Sequence, residues 1–364
     1  MRIVSGKGAS LVAEDGAAYL DAGVSSALVG HGHPRVIEAL AAQASRLSSD
    51  LAIAHATQEE LVARLRDIAP PGLTRCYLLR SLSEATELAL RIARANTPGK
   101  DVVVLEDAWY GVTTTLTNMS PVWRQPEGSG KGIAPRHWIR LAPRHQPEAV
   151  SAVIEELVRN GRGLCAVFAD GFPVREDWIA VQEKAHEAGG LLIALEVGIG
   201  LGRAGSDLWA STAAGLTPDL VVIGEELGNG TSIAAVFANP ARADVFEDRF
   251  RGLRELLIPP ADPLSCAAAL ATLDVMQQEG LMERARRGGD RLQAVLSAHG
   301  ARGSGMTWEI EVDDAAARLA QLRDLGILAG SRGSTLLIRP PLTMQNEKLE
   351  QLCDALHPVL GQSR

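Results

Sequence analysis

The chain has 364 residues, 46 % apolar and 22 % charged, a composition typical of a globular protein with room for one large unit and a smaller one. Thirty-six basic against forty-four acidic residues give a formal net charge of −8, and no basic run is present to track a phosphate backbone, so nucleic acid is not an expected partner. No window approaches the roughly 18 consecutive apolar residues that span a bilayer, so no membrane partner is expected either. The start, MRIVSGKG, lacks the apolar core of a secretory signal, and Cys76, Cys165, Cys266 and Cys353 form no CxxC pair. A reduced, cytoplasmic protein without a bound metal is expected.

In chain order, DGAAYLDAGVSSALVGHGHP reads as a hairpin-like piece with turn residues. Short branched apolar runs then alternate with amphipathic segments. The predicted strands are CYLL (76–79), DVVVLE (101–106), CAVFAD (165–170), GLLIALEV (190–197), DLVVIGE (219–225) and AAVFAN (234–239). Between them, SEATELALRIARAN and REDWIAVQEKAHEAGG carry apolar residues three and four apart. This alternation is the mark of α/β architecture with a mostly parallel sheet. The stretch 121–137, PVWRQPEGSGKGIAPRH, is rich in turn formers and reads as an exposed loop. Beyond about residue 255 the texture turns to long helical patterns and then to short strands around TWEIEV and TLLIRPPL, α+β in character. Ligands in open α/β sheets sit beyond the carboxyl ends of the strands, which places Asp170, Leu195, Glu196, Glu225 and Glu226 near one crevice.

The blocks YLDAGVSSALVGHGHPRVIEAL, SEATELALRIAR, GLGRAG, PDLVVIGEELGNG, DPLSCAAALATLDVMQQEGL, RGSGM and LLIRPPLT follow one another from about residue 10 to 357. As an ordered set they resemble class III aminotransferases, the acetylornithine and ornithine aminotransferase group of fold-type I pyridoxal-phosphate enzymes. The resemblance implies a mostly parallel seven-stranded sheet in a large α/β domain, 45–255, and a smaller α+β domain from 1–44 with 256–364. It also implies a homodimer with a small-molecule site at the subunit interface.

The cofactor of such enzymes needs a lysine for its Schiff base, an acid on the pyridine nitrogen, phosphate anchors and an aromatic face. On the resemblance, DLVVIGEELGNG puts Glu225 at the lysine position and Glu226 at a glycine. LLIALEVGIGLGRAG puts Leu195 at the aspartate, while Glu196 and Arg203 match. LRSLSEATE, the phosphate loop, keeps Ser81 and has Ser83 for a threonine and Leu82 for a glycine, with Arg80 just before. Ser81 with Glu84 reads equally as a capping box. A threonine that the neighbouring subunit gives to the phosphate falls at Ile258. DAWYG offers Trp109, Tyr110 and Gly111 at the aromatic block, Trp109 fitting a flat ligand or the core equally. The substrate-carboxylate arginine falls at Leu337, leaving Arg339, two residues on and on the same strand face, as the candidate for an anionic substrate.

Turn and packing residues match the family while cofactor-handling ones differ, so the expectation is a PLP-independent protein with no cofactor. The favoured form is an acid/base enzyme for elimination, isomerisation or cyclisation of a small polar metabolite. Adjacent acids repel, which raises one pKa and leaves a general acid beside a base. Glu225 leads, with Glu226, Glu196, Tyr110 and Asp170 as second groups and Trp109, Ser81, Ser83, Arg80 and Arg339 binding substrate. A structural ion pair of Glu225 with Arg80 is the competing reading of that acid. The alternative class is a non-catalytic pseudoenzyme that partners an active aminotransferase, and a third possibility is non-covalent binding of pyridoxal or pyridoxamine phosphate.

Overall fold

The computed structural model describes residues 1–49, 53–120, 137–144, 146–170, 175–249 and 261–361. Ile258 and nearly all of the turn-rich stretch 121–137 lie outside the described residues.

The strands in chain order are β1 (Ile3–Lys7), β2 (Ser10–Ala13), β3 (Ala18–Asp21), β4 (Arg75–Leu79), β5 (Asp101–Leu105), β6 (Ile139–Ala142), β7 (Leu164–Asp170), β8 (Leu191–Leu195), β9 (Leu220–Ile223), β10 (Ala234–Ala238), β11 (Arg302–Ser304), β12 (Thr307–Glu311), β13 (Ile327–Leu328), β14 (Gly330–Arg332) and β15 (Thr335–Ile338). Seven of them form the main sheet in the order β4-β10-β9-β8-β7-β5-β6. Only β10 runs antiparallel to its neighbours. The fold is α/β with a mostly parallel seven-stranded sheet, as the alternation of runs implies. The edge strand β6 has no counterpart among the predicted strands, because its four residues, IRLA, follow a turn-rich stretch and carry an arginine.

Every residue of β5, β7, β8, β9 and β10 is buried, as expected where helices cover both faces of a parallel sheet. Successive side chains divide between the faces. Val221, Ile223, Ala235 and Phe237 join a cluster with Cys266, Ala269 and Leu273 of the helix Pro263–Gln278. Leu220, Val222, Ala234 and Val236 join another with Ala85, Leu88 and Ala89 of the helix Leu82–Asn96. Burying such side chains stabilises by roughly 1.5–3 kcal/mol each.

Two four-stranded sheets flank this layer, β1-β2-β3-β13 and β11-β12-β15-β14. In the first, β3 near the start of the chain pairs parallel with β13, Leu20 opposite Ile327. The second supplies Arg332, Leu337 and Arg339 to the carboxyl edge of the main sheet. Arg339 N donates to Ala22 O at 2.7 Å, tying the two small sheets together. None of the described helices is long and apolar enough to cross a membrane.

Candidate functional site

The carboxyl ends of β4, β5, β7, β8 and β9 deliver the candidate residues to one edge of the sheet. After β9 the chain turns through Gly224 into a short 3-10 helix, Glu225–Gly228, closed by Asn229 in the left-handed conformation at φ 54°. Asn229 Oδ1 accepts from Val29 N at 2.9 Å and its Nδ2 donates to Gly30 O at 3.0 Å. This side chain pins the SSALVGHGH segment over the turn.

Glu225 and Glu226 do not converge. Glu226 is buried, accepting from Gly198 N at 2.7 Å and from Arg203 Nε at 3.3 Å. Arg203 is itself 1 % exposed and donates to Pro340 O at 2.7 Å. The pair clamps the glycine-rich turn between β8 and the β15 end, so Glu226 is structural. Glu225 is half-buried and makes one side-chain hydrogen bond among the described residues, from Ser26 Oγ at 3.4 Å. It forms no ion pair with Arg80 among the described residues; Arg80 N instead donates to Glu84 Oε2 at 2.9 Å.

Glu196 is fully buried and accepts from Ala210 N at 2.7 Å, Ser211 N at 2.8 Å and the Ser211 hydroxyl. Burial pushes its carboxyl up to about 7 against these donors. It holds the start of the short helix Ala210–Ala213 and does not reach the crevice. Tyr110 is also fully buried: its hydroxyl accepts from Leu105 N at 2.9 Å and donates to Phe168 O at 3.4 Å, and its ring meets Phe168 edge-on. Burial raises its hydroxyl further. Both polar groups are thus fully buried and engaged with backbone rather than exposed at the sheet edge.

Asp170 is locked between two arginines, accepting from Arg144 Nη2 at 2.8 Å and Arg332 Nη1 at 3.2 Å. Burial, the largest single influence, pushes its carboxyl up, but the two guanidinium groups outweigh it and hold the group well below the usual carboxylate range. A carboxylate so paired is no general base. Arg339, the expected anion contact, donates to Glu309 Oε1 at 3.0 Å and is already neutralised. It packs so closely on Gly198, φ 73°, that a Cβ there would sit 2.3 Å from its Nη1.

At the end of β4, Ser81 caps the helix Leu82–Asn96 by accepting from Glu84 N at 3.2 Å, the capping arrangement the sequence allowed. Ser83 Oγ accepts from Val112 N at 3.1 Å and lies under Gly111. Both hydroxyls keep a proton to donate. Trp109 stands out at 36 % exposed; among aromatic candidates it alone offers a free face. Leu195 and Leu82 are buried in one cluster with Val197 packed against it. No local spacing in the sequence signals Arg144, Arg332, Ser26 or Asn229, because their partners lie far away in the chain.

A seven-stranded α/β sheet with a glycine-rich turn at its ligand edge is what the fold offers, and the comparisons identify the group. The chain belongs to the class-III aminotransferases: the family description "Aminotransferase class-III" matches residues 1–360. It is 32 % identical to the acetylornithine aminotransferase of Methanothermobacter thermautotrophicus, covering 98 % of this chain and 93 % of that one. Among solved structures, a phospholyase from Arthrobacter in complex with phosphoethanolamine superposes with a TM-score of 0.85 at 26 % identity, over 100 % of this chain and 95 % of the other. An ornithine aminotransferase from Toxoplasma gondii, described with partial occupancy of PLP at its active site, matches at TM-score 0.80 and 25 % identity, over 99 % and 89 %.

This membership corrects the functional expectation. A cofactor-free, PLP-independent acid/base enzyme and a non-catalytic partner are both overturned, because the family match and the aminotransferase relatives run along nearly the whole chain. The expected absence of a cofactor falls with them, since the family is pyridoxal-phosphate dependent. The sequence misled because a lysine and an aspartate are two contacts among several, and phosphate and ring-face contacts do not depend on them.

Proposed function

We propose that this class-III family member takes the family's cofactor in its amine form, pyridoxamine phosphate, without a covalent bond, and uses it to transfer an amino group to a small carbonyl compound. The chemistry of the donor set decides the fit. Of the five lysines in the chain, Lys7 and Lys348 line a separate cleft by His31, Lys184 pairs with Glu155 on a surface helix, and Lys100 precedes the amino end of β5. The fifth, Lys131, lies outside the described residues. An aldehyde finds no amine at Glu225, whereas an ammonium group finds a counterion: a half-buried carboxylate with one weak hydrogen bond among the described residues is the natural counterpart of a cation. Glu225 is the observation that carries this reading.

When bound, the cofactor supplies a phosphate handle and an aromatic ring that carries an amino group to a carbonyl carbon. Trp109 would lend its exposed indole face to the ring. Ser81 and Ser83 would hold the phosphate through their hydroxyls, together with the N–H groups at the start of the helix Leu82–Asn96 that Ser81 does not cap. Leu195 would give the ring nitrogen no acid, and with Glu225 in place of a lysine the aldehyde form left by each transfer would have to leave and be replaced by fresh amine form. Glu225 would hold the amino group of the bound amine form as its anionic counterpart and could take up its proton. On the resemblance, two copies of the chain assemble as a dimer.

The test is retention of each cofactor form after gel filtration. Wild-type protein is expected to retain pyridoxamine phosphate stoichiometrically, sediment as a dimer, and take no mass label when pyridoxal phosphate and borohydride are added. Glu225→Gln should weaken retention about tenfold or more, equivalent to roughly 1.4 kcal/mol, and Glu225→Lys should instead accept the reducible covalent label. A borohydride label on a wild-type lysine, or no retention of the amine form, overturns the reading.

A further inference from the structure

A second polar cleft, of about 330 Å³, opens between the β14–β15 hairpin and the carboxyl ends of β5 and β6. That is the lower end of the range for metabolite sites, roughly 300–1,000 Å³. Its lining includes Glu106, Asp107, Arg144, Arg332 and Leu337, none of them assigned above to the cofactor, so it stands or falls separately.

The charges in this cleft are sorted by depth. At the inner end Arg144 and Arg332, with side chains 5 % and 16 % exposed, share the single carboxylate of Asp170. Two guanidinium groups on one acid leave about one positive charge without a counterion. Among the described residues Arg144 Nε is buried without a hydrogen-bond partner, as is Asp170 Oδ1, so the inner end holds a donor open to a carboxylate. Burial and the neighbouring Arg144 both lower the pKa of Arg332, with Asp170 opposing. The other charges nearby are already paired, Arg339 with Glu309 at 3.0 Å and Arg302 with Glu311 at 3.5 Å.

At the mouth the sign reverses. Glu106 and Asp107 are exposed and have no ion-pair partner among the described residues. Asp107 is one of only three non-glycine residues among those described at positive φ, 62°. That backbone conformation is tolerated by Asp better than by most residues, and here it turns the chain past Gly333 of the hairpin.

We propose that this cleft binds a small molecule with a singly charged carboxylate at the inner end, on Arg144 and Arg332, and a cationic group at the mouth, against Glu106 and Asp107. One uncompensated inner charge is neutralised by a carboxylate, whereas a doubly charged phosphate overshoots it. The acidic mouth repels a second anion, so the cleft selects zwitterions over dicarboxylates. Asp170 is a positioning residue that holds the two arginines in register.

Calorimetric titration of the full chain with 5-aminopentanoate, pentanoate, glutarate, pentylamine and inorganic phosphate tests this. The zwitterion is expected to bind at least tenfold more tightly than pentanoate, with glutarate weaker than pentanoate and phosphate and pentylamine weakest. Arg332→Leu, which leaves the Arg144–Asp170 pair in place, should weaken 5-aminopentanoate and pentanoate alike by tenfold or more. Glu106→Gln with Asp107→Asn should bring 5-aminopentanoate down to the level of pentanoate, lift glutarate, and leave pentanoate unchanged. Glutarate or phosphate binding as tightly as the zwitterion, or Arg332→Leu without effect, overturns the proposal. Retention of pyridoxamine phosphate should be the same in all these variants, so its loss in the wild type sinks only the preceding reading.

Discussion

Glu196 shows how a residue that matches a family block can serve the fold alone. It sits in the core with both oxygens capping a four-residue helix, and burial lifts its carboxyl from 4.5 to about 7. The folded state therefore binds more protons than the unfolded chain between these values. The stabilisation is fully present below the unfolded pKa and is lost as pH rises through the folded one, with a slope of at most about 1.4 kcal/mol per pH unit. Denaturant titrations of wild type and Glu196→Gln from pH 4 to 8 should show this decline in the former and its absence in the latter. A parallel pH dependence in both would assign the decline to another group. The acids at 170 and 226 follow the same pattern: they stand at and just beyond the carboxyl ends of β7 and β9, and Arg144, Arg332 and Arg203 hold them in ion pairs. Ion pairing across a long stretch of chain leaves no trace in local spacing.

At the level of elements, the strands were legible wherever branched apolar residues ran uninterrupted, as in DVVVL and LCAVFAD. They were not legible at β6, β11 and β14, which are three or four residues long and carry arginine or glycine. Such strands exist because a neighbour offers its hydrogen-bonding edge, a tertiary fact. The turn after β9 is a clearer case of local chemistry. Asn229 adopts φ 54° and bonds both Val29 N and Gly30 O, so it serves as a left-handed cap and as a tether. Asn229→Gly keeps the conformation and loses the tether, and is expected to cost about 1–2 kcal/mol. Asn229→Ala loses the tether and adds left-handed strain of roughly 1 kcal/mol more. Equilibrium unfolding should rank them wild type, glycine, alanine. Alanine equal to glycine would mean that the turn relaxes out of its left-handed geometry.

For the whole molecule, the layer architecture and the family could be read from the order of the blocks, while the functional conclusion drawn from two missing side chains could not survive comparison with relatives along the full chain. Two charge arrangements stand out in the structure: a carboxylate at the turn after β9, and Arg144 and Arg332 on one carboxylate below the exposed acids Glu106 and Asp107. On the two proposals made above, the first would select an amine and the second a carboxylate. Neither choice is visible in overall net charge, which reports solubility rather than recognition.

The pairing of β3 with β13 reaches across nearly the entire polypeptide, Leu20 meeting Ile327. During synthesis, which proceeds from the amino end, the first hairpin emerges long before its partner exists. The main sheet is able to close while that hairpin still waits, and the ribosome-bound chain carries β1–β3 without their β13 neighbour for most of its production, even after Asn229 has tethered Val29 and Gly30. Stalled chains ending before residue 327 should be clipped by protease within their first thirty or so residues, and full-length released chains should resist. Protection of the short chains would show that the hairpin docks without its distant mate.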